Sequence, residues 1–167
     1  MPIDGTPSVC AICGILRRKK MTHIRSAWIT AQAVSTSFID DSLEQQSRAL
    51  LDLLAMTGQV ANKEQVYLDV CERMRHSSPQ LEADIIVSHA MTEGVSDFCA
   101  AVGIVPHKKI YMLVAWNRAT PHNLKHLGAL VEVLEDTDVK ACMLEAQSPE
   151  DVLLVLDEHL KHFGIRI

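Results

Sequence analysis

The 167-residue chain has no apolar run approaching the roughly 20 residues that a membrane-crossing helix needs, which argues against a transmembrane segment. It has no surplus of positive charge either. Sixteen Lys and Arg stand against 21 Asp and Glu, a formal net charge of −5, and without a basic face nucleic acid is not a candidate partner. The five cysteines are odd in number and unevenly spaced, so they do not form a disulfide framework and they suit a reducing cytoplasm. Internal repeats and low-complexity tracts are missing as well. What remains, with 48% hydrophobic and 22% charged residues, is one globular domain with a real core plus a short extension.

The amino-terminal stretch resists assignment. Cys10 and Cys13 are spaced C-x-x-C, but a zinc site would want a second such pair, and a redox motif would want to open a helix after a strand. The apolar residues Val9 to Leu16, followed by Arg17, Arg18, Lys19 and Lys20, have the order of a membrane segment's cytoplasmic edge, yet eight residues are too few to span. Residues 1–34 are therefore expected to form an extension, and residues 35–167 the domain.

Regular structure is legible after residue 27. Trp28 to Ile39 holds alternating and β-branched residues and reads as an extended or edge strand. Ser42 to Gln45 has the form of a capping box, and Leu43, Leu50, Leu51 and Leu54 make the stripe of a helix ended by Gly58. Asn62, with Gln65 three residues on, starts a second helix reaching about Arg75. Strands follow at Ile85 to His89, Phe98 to Val105 and Ile110 to Trp116, the last two forming a hairpin about Pro106 to Lys109. Thr120-Pro121 and Ser148-Pro149 are N-cap and first-turn signals of two helices, with a shorter helix over Asp138 to Ala146 between them. The sum is an α/β sandwich, a small mixed sheet covered by helices.

One histidine of the eight stands out. In Asp84 to Gly94, D-I-I-V-S-H-A-M-T-E-G, a continuous β-branched run suited to a strand buried on both faces stops at His89. In open α/β sheets ligands are met at the carboxyl ends of strands, so a histidine there is placed for chemistry.

These residues resemble the enzyme IIA domains of the fructose and mannitol type in the bacterial phosphoenolpyruvate-dependent sugar phosphotransferase system, with their nitrogen-regulatory relatives. The signature of that family is close to I-A-[LVI]-P-H-[AG]-x-T-E-G, and this chain has I-I-V-S-H-A-M-T-E-G. Ser42 to Val66 is similar to the family's first helix, its turn and the start of its second helix, and Ala115 to Asp136 to the strand, loop and helix beyond the site. The resemblance spans about residues 35–160. It implies that His89 accepts a phosphoryl group from a small histidine phosphocarrier protein and passes it to a IIB or IIC transporter component or signals with it, in the cytoplasm and with no cofactor. It also implies a cationic partner near the end of the second helix, and counting back 16 positions from His89 reaches Arg73 (89 − 73 = 16). The family's second site histidine aligns with Asn123, while His122 is one residue away, about 100° around a helix.

Several departures mark a divergent member. Ser88 replaces proline, Met91 replaces a frequent arginine, and the glycine-rich approach to the strand is Gln80 to Ile86, where Glu82 and Asp84 would repel phosphate if they faced inward. The alternative to a carrier is a phosphorylation-independent regulatory or binding module of the same fold. A metal site from His89, His122 or His126 and Glu93 is disfavoured, because only His122 and His126 share a helix face.

Overall fold

The computed structural model describes residues 28–120 and 123–167. Cys10, Cys13, the basic run Arg17 to Lys20, Pro121 and His122 lie outside the described residues.

Five strands form one mixed sheet: β1 (Val34–Ser35), β2 (Gln80–Glu82), β3 (Ile85–Met91), β4 (Cys99–Val105) and β5 (Lys109–Trp116), in the spatial order β1-β4-β5-β3-β2. Strand β5 is the centre, antiparallel to β4 and parallel to β3. Its residues show why an unbroken apolar run was needed. Ile110, Met112, Val114 and Trp116 enter one core cluster, and Tyr111, Leu113 and Ala115 enter a second on the opposite face. With both faces buried, the alternation of side chains demands apolar residues at every position.

Helices α1 (Leu43–Ala55) and α2 (Lys63–His76) cover the second face, through Leu50, Leu51, Leu54, Val66 and Val70. Helices α3 (Asn123–Glu135), α4 (Thr137–Leu144) and α5 (Pro149–Leu160) cover the first, through residues such as Leu130, Leu134, Met143, Val152 and Leu156. The caps are largely those expected. Ser42 and Asn62 accept from the Gln45 and Gln65 backbone N–H groups, and Ser148 with Asp151 forms a full reciprocal box. Helix α4 begins slightly earlier than its expected start, because Asp136 accepts from the N–H groups of both Asp138 and Val139.

Two expectations are modified. The strand anticipated over Trp28 to Ile39 is a 3₁₀ turn at Ala31–Ala33 followed by a two-residue strand parallel to β4. Ala31, Gln32 and Ala33 interrupt the β-branched run and allow the tight turn, while Trp28 and Ile29 remain buried in the core. Also unforeseen was β2, which pairs antiparallel with the start of β3. Its Glu82, together with Asp84, turns to Lys140 of α4, at 2.6 and 3.4 Å. Asp84 precedes β3 and His89 is five residues on, about 16 Å at the rise of an extended strand, so these acids do not crowd the histidine.

Strand β2 registers only with Ile85 and Ile86, and the Val87 N–H donates to the Pro79 carbonyl. Among the described residues, Ser88 to Met91 have no strand neighbour on that side. At this open edge the helix layers of the two faces approach one another.

The loop after β3 anchors α2. The Gly94 carbonyl accepts from the N–H groups of both Ala61 and Asn62, and a Cβ at Gly94 would lie 2.5 Å from the Asn62 carbonyl oxygen and 2.6 Å from Val66 Cγ2. Gly94→Ala is expected to cost about 1–3 kcal/mol by overpacking, read as a lower urea midpoint with unchanged slope. An unchanged midpoint would show that the loop yields without strain.

Candidate functional site

A cavity of about 610 Å³ opens over the free edge of β3. Helix α2 supplies one wall with Asp69, Glu72, Arg73 and His76, residues whose spacing puts them on one helix face. Asn123, Leu124 and Leu127 of α3 form the other, and His89, Ala90, Met91 and Trp116 form the floor.

His89 is half-buried at the centre, continuing the face of β3 that carries Ile85 and Val87. Its two ring nitrogens have different partners. Arg73 Nε lies 3.3 Å from His89 Nε2, and Nδ1 lies 3.3 Å from the carbonyl of Val87. Guanidinium only donates, so Nε2 must present its lone pair, which places the proton on Nδ1, where Val87 accepts it. The ring is a neutral imidazole with a nucleophilic nitrogen directed at a cation. Burial pushes the His89 pKa below its ordinary 6.5, and the charge of Arg73 adds to that depression against the opposing bond to Val87.

Arg73 occupies the last turn of α2 and is exposed to the cavity. The preceding Glu72 does not compete for it. Glu72 accepts from Arg75 at 2.8 Å and pairs with His76 at 2.9 Å, and these bonds hold its carboxyl below the usual range. Ser88, where the related signature has proline, is buried with its hydroxyl 3.7 Å from Met74 Sδ of α2. The mouth is apolar, with Met91 48% exposed on one side and Leu124 77% exposed on the other.

His89, Arg73 and Asn123 thus line one cavity, while His122 is outside the described residues. His126 and Glu93 have other surroundings: His126 packs on Trp28 and Phe98, and Glu93 meets Asn117 Nδ2 at 3.4 Å. Among the described residues no three His, Cys, Asp or Glu side chains are grouped to hold a metal ion. Sequence reasoning missed Asp69, Glu72, His76 and Trp116 as lining residues. Helical spacing from Arg73 would have found Asp69 and His76, at four residues before it and three after, and the same spacing from those two finds Glu72. Trp116 required the register of β3 against β5, which sequence pattern does not supply.

The arrangement suits capture of an electrophilic group that carries negative charge. An uncharged ring nitrogen attacks, and an adjacent fixed cation meets the charge that arrives with the electrophile.

Neither a protein-family sequence model nor a curated protein sequence matches the chain. Solved structures do. IIA mannitol from Escherichia coli superposes with a TM-score of 0.64 at 17% identity, over 76% of this chain and 97% of that one. The nitrogen regulatory protein IIA-Ntr from Neisseria meningitidis gives 0.61 at 15% identity, over 77% and 95%. A complex of enzyme IIA mannitol with phosphorylated enzyme IIB mannitol from E. coli gives 0.65 at 16%, over 76% and 95%. At these identities the likeness establishes the fold, a mixed α/β sandwich of the enzyme IIA mannitol type.

His89 is expected to titrate below 6.5 in a proton NMR titration, and Arg73→Ala should raise its pKa without restoring the ordinary value, since burial is the larger cause. The folded protein then binds fewer protons at His89 than the unfolded chain does. Stability should therefore fall as pH drops from 6.5 through the lowered folded value, and His89→Gln should flatten that part of the profile. An ordinary pKa for His89 would contradict both.

Proposed function

We propose that this chain is a phosphoryl carrier of the phosphoenolpyruvate-dependent phosphotransferase type, with His89 as the acceptor. The observation that carries the reading is the division of the His89 ring: Nδ1–H to the Val87 carbonyl, and the Nε2 lone pair to Arg73. The enzyme IIA-like fold supports it.

In the transfer, Nε2 attacks the phosphorus of a phosphohistidine on a small phosphocarrier protein. The new N–P bond forms as the donor's N–P bond breaks, and the bonding pair returns to the donor's ring nitrogen. Nδ1 keeps its proton, so the His89 ring acquires positive charge, and the Val87 carbonyl stabilises that N–H throughout. Arg73 must release Nε2 as the phosphorus arrives and redirect its N–H groups to the phosphoryl oxygens. Asn123 on the facing wall can donate to the same oxygens from its amide but cannot supply charge.

The donor's group must enter between Met91 and Leu124, apolar residues that suit a protein surface better than water. Onward transfer to a IIB component, itself linked to a IIC transporter, is the natural second half. The complex of enzyme IIA mannitol with phosphorylated enzyme IIB mannitol, one chain of which shares this fold, supports that direction. The reaction belongs to the cytoplasm in this proposal. Among the described residues no helix is long and apolar enough to cross a membrane.

Incubation with phosphoenolpyruvate and the general phosphotransfer proteins, read by intact mass, should add one acid-labile phosphoryl group, and His89→Gln should abolish it. Arg73→Ala should slow transfer by roughly 10², the equivalent of about 3 kcal/mol of lost charge stabilisation, with the fold intact. Asn123→His should maintain or modestly increase the rate. No label on the wild-type protein beside a competent phosphocarrier would reject the carrier and favour a phosphorylation-independent binding module.

A further inference from the structure

Four rings form a row across the sheet on the face that carries His89. Trp28 meets Phe98 edge to face at 5.4 Å between centroids, Phe98 stacks on Trp116 at 6.3 Å and 19°, and Trp116 stacks on His89 at 6.1 Å and 11°. The order follows the strands. Phe98 immediately precedes β4, Trp116 ends β5, and His89 lies in β3 beyond it. Trp116 is held from three directions: Phe98 stacks on the indole, Met91 is its register partner, and its carbonyl accepts the Thr92 N–H at 2.9 Å. It is only 7% exposed.

We infer that Trp116 is a positioning residue for His89, a planar support that holds the plane of the imidazole in which Nε2 meets Arg73 and Nδ1 meets the Val87 carbonyl. The need for such a support follows from the other restraints. Rotation about χ2 of histidine is broad and nearly two-fold. The bonds to Arg73 and Val87 are both 3.3 Å, longer than the ~2.9–3.0 Å of a well-formed bond, and one of them must be given up during the proposed transfer. A nearly parallel aromatic face restrains the ring plane without occupying either nitrogen, at a centroid distance inside the roughly 4.5–7 Å range of offset stacking.

An apolar residue there solely to fill the core would serve as well if it were leucine, and that substitution separates the two roles. In NMR spectra of the unphosphorylated full chain, wild type and Trp116→Phe should show His89 carbon-bound protons displaced by a ring current and a single Nδ1–H tautomer by ¹⁵N shifts. Trp116→Leu should lose the ring-current displacement and show mixed tautomers. In phosphotransfer, Trp116→Phe should stay within about 2-fold of wild type and Trp116→Leu should be slower by roughly 3- to 10-fold. A further measurement needs no change at Trp116: tryptophan emission should show a pH-dependent step with the His89 pKa, and His89→Gln should remove it. Wild-type His89 shifts, tautomer and transfer rate in Trp116→Leu would overturn the inference, as would the absence of the His89-dependent emission step. The kinetic arm rests on the phosphoryl-carrier reading. If wild type takes no phosphoryl group, that reading fails, while the tautomer and emission measurements still decide the role of Trp116.

Discussion

Seven consecutive register pairs join β3 to β5, from Ile85–Ile110 to Met91–Trp116, and the candidate site depends on this parallel pairing. The pairing places His89 level with Val114, one face of it toward the core and the free edge of its strand toward solvent. It also brings Trp116 past the end of the buried run to lie against the imidazole. Helices from opposite layers then meet where the sheet has stopped, α2 contributing charge and α3 an amide and leucines. A cavity at such a place needs no special loop. Layers that must cover a sheet on both faces cannot close over an edge that neither owns.

The charges near the cavity are sorted by what each is bonded to. Glu72 is occupied by Arg75 and His76, Glu82 and Asp84 by Lys140, and Arg73 is directed at His89. A chain with a net charge of −5 therefore presents a cation at the Nε2 lone pair of His89. The acids, which in the sequence seemed to crowd the approach to the strand, are at its far end. Their effect on the cavity is indirect, through the tie between β2, the start of β3 and α4.

Most of the architecture was legible because it rests on local signals. Caps at Ser42, Asn62 and Ser148, the leucine stripes and the β-branched run into His89 each carry their own evidence. The turn at His107, where φ is +59°, was marked by Pro106 and the polar residues around it. The proximity of Arg73 to His89 was readable only as a spacing in a resemblance, since 16 residues and a change of element separate them. Two features were not readable. Strand β2 contains no β-branched residue and exists because its backbone meets β3. The ring row through Trp116 is a product of the parallel register of β3 on β5, two strands that no hairpin turn joins, so no turn in the sequence fixes it.

The open edge of β3 has a consequence for the solubility of the folded protein. A strand with one side unpaired is a template for the backbone of another chain, and natural sheets blunt such edges with charge, irregularity or cover. Here the edge cannot be covered without closing the cavity, and it cannot be long without inviting a neighbouring strand. It is limited to the four residues 88–91, capped at one end by β2 and at the other by the turn into Gly94, with Arg73 standing over it. The same guanidinium that faces the imidazole thus also sets a charge beside the unpaired stretch, one of the devices by which sheet edges resist the addition of a strand.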